Sequence, residues 1–499
     1  MFLASRLLVA VVVLTPYALA QGTHDHPAPE KLGSVSFAVS CKPALQQDFN
    51  RAVALLHSFA YSAAEKAFHN VAEDDPECAM AHWGIAMTYY HQLWEPAIPG
   101  DGLRKGQQEI DQARRIGAGT ARERGFIEAA NVVFQDGSTV SYAARVLKYE
   151  AAMTGLAAQD KDIEVQVFHA LALLANAPPT DKDHVRQKEA AALLEPLYAK
   201  YPDHPGIPHY LIHAYDNAEL AQRGLPAARA YSKIAPSAPH ALHMPSHIFT
   251  RLGLWDDSIA SNLAASEAAR KAGDIGEQLH AMDYLVYAYL QSGRDADAAR
   301  VVAQLKGMQN LNVGGFKTGY AATAIPVRYV VERGQWAEAA EILTPPASTL
   351  PQVAVIAIWA RGLGLARSGH PADAASAIQE LERHQDSLRE SGNDYWATQV
   401  GIMMREVKAW VLQAQRKQRD AVALMREAAD KEDSIEKLPV TPGPIIPARE
   451  QLGELLLEQE HPEQAAKEFQ AALAVAPGRR GSLQGASQAA ERLRAGKTN

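Results

Sequence analysis

Apolar residues recur along most of this chain at helical spacing, and the recurrence has a longer period laid over it. The C-terminal stretch shows it best. Leu452-Gly453, Leu456, Ala465, Phe469, Ala472-Leu473 and Pro477 mark two amphipathic helices joined by a tight turn. Small residues at Gly453 and Ala465 let the two helices approach closely, Leu456 and Phe469 fill the seam, and Pro477 ends the second helix. With Gly453 as position 8 of a 34-residue unit, the same ruler fits elsewhere. Gly253, Trp255 and Ser258 fall at positions 15, 17 and 20. Gly293 with Ala298, Gly334 with Trp336 and Ala339, and Gly369 with Ala374 repeat that turn and second helix. Asp75-Pro76 and Pro202 fall at the terminating position. The ruler predicts nine or ten helical hairpins, each covering its neighbour's apolar face.

Three stretches interrupt the pattern. Residues 95–185 fit poorly and predict longer helices with a loop at Asn176-Ala177-Pro178-Pro179. Residues 306–320 carry Gly307, Gly314, Gly315 and Gly319, a divider between two arrays. Residues 438–447 hold Pro439, Pro442, Pro444 and Pro447, a stiff connector before the last unit. The expected organisation is a signal peptide at 1–20, a leader segment at 21–44, one array with a His-rich concave face over 45–305, a second over 306–437, and a Pro-rich connector with a terminal unit over 438–499.

Composition narrows the class. At 499 residues with 47% hydrophobic and 21% charged positions, the chain is too long for one ordinary core and is not disordered. A net charge of -8, spread without a basic stripe, argues against nucleic acid as a partner. Residues 1–20 read as a signal peptide: Arg6, the apolar run Leu7 to Leu14, then Ala18-Leu19-Ala20. An uncleaved anchor is the alternative, although the run is short for a bilayer span. Export predicts a periplasmic or secreted protein. In an oxidising compartment Cys41 and Cys78 either bridge or remain two unpaired thiols, and the bridge is the expectation.

The chain resembles exported bacterial tetratricopeptide-repeat proteins of uncharacterised function. Beyond the generic repeat, the resemblance is carried by Cys78-Ala79-Met80-Ala81-His82-Trp83-Gly84, by Pro239-His240-Ala241-Leu242-His243-Met244-Pro245-Ser246-His247-Ile248-Phe249, and by Pro442-Gly443-Pro444 with Pro447-Ala448-Arg449-Glu450. It implies an all-α fold, a tetratricopeptide-type right-handed superhelix, and a site outside the cytoplasm. It implies no activity. In such repeats, first-helix positions 2, 5, 9, 12 and 13 face an inner groove.

On that ruler the eighteen histidines are not evenly spread. His57 and His91 share position 13, His209 and His243 share position 5, and His213 and His247 share position 9; each pair is 34 residues apart. Asp216 falls at position 12 and His240 at position 2. In the next unit His280 and Asp283 take positions 2 and 5. Residues four apart on a helix lie one above the other, so His209 with His213 and His243 with His247 each present two imidazoles to one point. Four imidazoles helped by Asp216 or Asp283 suit zinc, copper, iron or manganese, and a carboxylate can also orient a ring through its second nitrogen. The plainer reading is a solvated or partner-facing histidine surface. Pro245 between His243 and His247 would spoil the stacking if it kinked the helix.

Other signals are weaker. His24-Asp25-His26 is metal-capable but sits in a leader. Arg449 and Glu450 are either a charged helix start or a ligand contact, and Trp83 is either core or groove. There is no HExxH, GxSxG, CxxCH, CxxC or phosphate-cradling glycine loop. Two functions follow as expectations. One is a cell-envelope scaffold presenting a groove that contains His57, His91, Asp216, His240, His280 and Asp283 to a protein, peptide or small ligand. The other is a metal-binding protein or metal-dependent enzyme with His209, His213, His243 and His247 as ligands.

Overall fold

Amphipathic helices joined by glycine-marked turns can bury their stripes only by pairing, and the computed structural model shows that outcome. It describes residues 30–93, 98, 100–137, 139–309, 311–343 and 345–498. The signal-peptide expectation at 1–20, the His24-Asp25-His26 cluster and Trp94 lie outside the described residues. The chain divides into two units, the second of which spans Lys31–Asn499.

The second unit is all-α: a stack of tetratricopeptide-type helical hairpins running from Gln46–His57 to Arg480–Thr498, with no strand among the described residues. Most helices pack on a sequence neighbour, and many also pack on the helix two further along. Ile275–Gln291 meets Phe316–Val331, which meets Pro351–Arg367, which meets Asp394–Ala414. That pattern is what stacked hairpins produce. The ruler's small residues sit where close approach requires them. A Cβ on Gly453 would lie 2.7 Å from the Phe469 ring. Gly253 is left-handed at φ +68° and touches the Pro477 carbonyl, where a Cβ would stand 2.4 Å away.

That last contact shows that the array closes on itself. Trp255 Nε1 donates to Gly478 O at 3.2 Å. The buried Arg479 guanidinium pairs with Glu450 and with Glu332, both at 2.9 Å. The connector 438–447 is mostly buried, and Arg328 donates to Pro444 O. Just before it, Glu436 N donates to Pro179 O at 2.6 Å and Lys437 reaches Asp216 at 2.6 Å. The apolar core is correspondingly grouped into one cluster from Leu32 to Phe249, a small one from Ile259 to Ile325, and one from Phe316 to Ala489. Cys41 and Cys78 form a disulfide, tying the segment before the first helix to the start of Ala79–Met87.

Candidate metal centre

Three first helices of successive hairpins carry the site. Gly206–Tyr215 supplies His209 and His213. It begins with Gly206, which abuts His57 so closely that a Cβ would lie 2.7 Å from Nδ1. The second first helix is divided. Pro239–His243 ends at Met244, and Pro245–Arg251 begins there. Met244 keeps helical angles, φ -52° and ψ -36°, so Pro245 costs a hydrogen bond but not the helical path. His243 and His247 therefore stay stacked. Ile275–Gln291, capped by Asp274 on Glu277 N, supplies His280.

These helices bring six imidazoles together as two triads: His209, His213 and His240, and His243, His247 and His280. Within each, one nitrogen per ring lies within 4.8 Å of the others. His209 Nε2 stands 3.1 Å from His213 Nε2 and 3.2 Å from His240 Nε2. His243 Nε2 stands 3.0 Å from His247 Nε2. The triads adjoin, with ring centroids 5.9 Å apart from His213 to His247 and from His240 to His243.

The other ring nitrogens explain why these distances matter. His209 Nδ1 donates to the His57 carbonyl at 2.6 Å, and His247 Nδ1 to Asp216 at 2.9 Å. His243 Nδ1 donates to Asn262 Oδ1 at 2.6 Å, and His240 Nδ1 to Glu277 at 3.2 Å. Asn262 cannot be turned around, because its Nδ2 donates to Ser258 O at 2.8 Å. Carbonyl and carboxylate oxygens only accept, so each of these rings carries its hydrogen on Nδ1 and a bare lone pair on Nε2. His243 and His247 thus aim two lone pairs at each other across 3.0 Å. So do His209 and His240 across 3.2 Å.

A cation between them would turn repulsion into bonding. A proton is disfavoured: burial, reinforced by neighbouring histidines, pushes His209, His213, His243 and His280 well below the usual imidazole range. Burial takes His247 down to about 4 even though Asp216 opposes the shift. A metal ion fits. Ligand nitrogens 3.0–3.2 Å apart, each about 2.05 Å from one ion, subtend roughly 95–105°. Asp216 and Glu277 supply ionised support. Burial raises both, but Lys437, Arg251 and His247 around Asp216, and Lys317 and His240 around Glu277, outweigh it and hold both carboxyls well below the usual range.

Several sequence expectations fall elsewhere. The six triad imidazoles are interior rather than a groove surface: His209 and His243 are 0% exposed, and only His213 is half-buried. His57 lies one layer out. It binds Glu164 at 2.8 Å and Tyr210 at 2.9 Å while its carbonyl holds His209. His204 joins the same Glu164 at 3.0 Å. His91, although in register with His57, stacks on Tyr61 at 4.1 Å and bonds Thr88 O, away from both triads. Asp283 meets no imidazole nitrogen within hydrogen-bond distance and pairs with Arg328 at 3.2 Å, so it neither supports nor completes the centre. Trp83 is buried against Phe37, Phe126 and Phe168. Glu450 is taken by Arg479, and Arg449 by Asp430, Asp433 and Glu468, which makes both structural.

Glu277, Asn262, Glu164, His204 and Lys437 were not foreseen. Glu277 had a signal, lying three residues before His280 on one helix face. Asn262 had none, because it comes from the second helix of its hairpin, Trp255–Ala272.

No protein-family model matches the chain, and no curated protein matches it. Solved structures do. A P58(IPK) TPR domain is 11% identical with a TM-score of 0.23, over 91% of this chain and 100% of that one. A monomeric mutant of IFIT1 with Gppp-AAAA is 12% identical with a TM-score of 0.39, over 83% and 90%. Naa15/Naa10 bound to HypK-THB is 10% identical with a TM-score of 0.26, over 85% and 62%. These similarities concern helical architecture alone.

Proposed function

We propose that this protein is a metalloprotein whose buried histidine centre holds two transition-metal ions, one per triad. The observation that carries the reading is the pair of facing lone pairs on His243 and His247, whose outer nitrogens are both committed to acceptors. Neutral imidazole ligands suit copper, zinc, iron or nickel over magnesium or calcium. Three protein ligands per ion leave a position open, as in catalytic rather than structural zinc sites. Asp216 and Glu277 orient rings through their second nitrogens, the support that such sites commonly need. Work outside the reducing cytosol is supported by the Cys41–Cys78 disulfide. No helix among the described residues is long and apolar enough to cross a membrane. Exposed helix faces leave room for a protein partner, as expected of a repeat scaffold, but the buried triads offer such a partner no surface.

The test is metal content of protein purified without a polyhistidine tag, loaded with zinc or copper and then dialysed against metal-free buffer. Two ions per chain are expected. His213→Ala and His247→Ala should each lose about one ion, since each empties one triad. Retention of well under half an ion per chain would end the proposal.

A further inference from the structure

The two triads are not separate sites. Across the boundary between them, ring centroids stand 5.9 Å apart from His213 to His247 and from His240 to His243. Within the second triad alone, His247 and His280 stand 6.3 Å apart. The gap between triads is therefore no wider than a gap inside one, and the six rings form a single cluster. Two ions held by such a cluster are close neighbours, as in two-metal sites that clamp one ligand from both sides. Three imidazoles per ion leave each ion room for that ligand.

Charge around the cluster narrows the choice of ligand. The imidazoles are neutral. The carboxylates that touch them already have cations: Asp216 meets Lys437 at 2.6 Å and Arg251 at 2.9 Å, and Glu277 meets Lys317 at 2.7 Å. They leave no negative charge over for the ions. Five of the six imidazoles are no more than 2% exposed, so water screens the ions little, and unmatched buried charge is costly. Two divalent ions here call for a small anion shared between them. The inner ligand set has no carboxylate, unlike the mixed histidine and carboxylate set of non-haem iron, and copper stands highest in affinity for nitrogen ligands. Copper also lets the anion form in place. Two Cu(I) ions carry two positive charges. Dioxygen takes one electron from each and becomes peroxide: the O–O bond order falls from two to one, bonds form from oxygen to both ions, and no proton moves. The two Cu(II) ions then carry four charges and the peroxide removes two. The net charge of the interior is unchanged, so burial does not oppose the step.

We infer that the six-histidine cluster is a coupled two-copper centre that binds dioxygen as peroxide between its ions. The inference rests on the metal reading, and adds to it the choice of metal, the sharing of one ligand and the molecule bound. Entry is from the side of His213, the half-buried member of the six. With Asp216, Phe316 and Trp396 it borders a chamber of about 330 Å³, and dioxygen is small and uncharged enough to pass from there to the rings.

The experiment uses the full chain without a tag, loaded with Cu(I) under nitrogen, desalted and assayed for copper. On admission of dioxygen, the protein should take up one molecule per two coppers. Free hydrogen peroxide should stay below about a tenth of that amount until acid releases it, one per chain. Electron paramagnetic resonance should detect less than about a tenth of the copper, because two Cu(II) spins bridged by one ligand pair. Failure of any of these three at two coppers per chain overturns the inference while the metal reading stands. His213→Ala and His247→Ala, each holding one copper with unchanged helix content by circular dichroism, should show nearly all of that copper after oxidation by ferricyanide. A silent signal in both would trace the loss to something other than pairing, and overturns the inference as well. Should neither variant fold, the three measurements on the unaltered protein decide alone. About one copper per chain or less also overturns the inference, and a parallel sample loaded with zinc then tells whether the metal reading falls with it.

Discussion

The N-terminal and C-terminal interiors of this stack handle buried polarity in opposite ways. In the C-terminal part, donors face acceptors. Trp359 Nε1 donates to Glu406 at 2.6 Å, Gln451 to Glu406 at 2.8 Å, and Trp410 to Gln451 at 3.0 Å. Arg479 sits between Glu332 and Glu450. The network closes with protein groups alone. In the N-terminal part, the outer nitrogens of the imidazoles are matched with equal care, yet their inner nitrogens converge as acceptors on acceptors. Both regions use one helical frame. In the C-terminal network each named donor meets a protein acceptor, whereas in the histidine centre inner ring nitrogens face one another. The difference separates a polar network that serves the fold from one that the proposed ions would complete.

The two interiors should respond differently to metal removal, mutation and acid. Metal removal should have the largest effect. At free metal a thousandfold above Kd, each ion contributes about 4 kcal/mol of stability, so chelation should lower Tm markedly; an unchanged Tm would put the triads on the same footing as the carboxylate network. Next comes Arg479→Met, which strands Glu332 and Glu450 in the interior and should cost roughly 3–5 kcal/mol in urea unfolding, with metal content intact. A cost near zero would show that the C-terminal network is not closed as described.

Acid should give a smaller, graded effect on metal-free protein. Burial depresses His209, His213, His243, His247 and His280 below the usual 6.5 in the folded chain, so the unfolded chain takes up protons first as pH falls. Stability is then full above about 6.5 and declines below it towards the His247 value of about 4, at up to about 1.4 kcal/mol per pH unit for each proton. Metal-loaded protein should resist until ligand protonation releases the ions. A flat metal-free profile from pH 7 to 5 would contradict the burial argument.

Glu432 should give the smallest effect, and in the opposite direction. Burial lifts its carboxyl from 4.5 to about 8, so the folded chain keeps the proton over that window and stability falls as pH rises through it. Glu432→Gln should cost less than ~1 kcal/mol at pH 6 and flatten the profile between neutrality and pH 8, measured by thermal melts. An unaltered slope would mean that the carboxyl is already ionised at neutrality.

Periodicity made much of the frame legible. Gly453 and Phe469 meet as their spacing implies, and Gly253 occupies the left-handed turn that follows a first helix. The same arithmetic singled out His209, His213, His243 and His247, because residues four apart on a helix share a face whatever surrounds it. It did not place His240 and His280 as equal members of the triads. It also grouped His57, His91 and Asp283 with them, because shared register says which face a residue takes but not which layer it occupies.

A local repeat acts through the next few residues, and so it determined the helices, their turns, the faces that carry imidazoles and the pairing of neighbouring hairpins. Packing between distant segments decided the rest. It buried the histidines instead of lining a groove with them, and it brought Asn262, Glu277 and the His57 carbonyl to their outer nitrogens. It also folded the segment around Lys437 back onto Asp216, 221 residues away. Such contacts depend on how the whole stack closes, which no short-range spacing encodes.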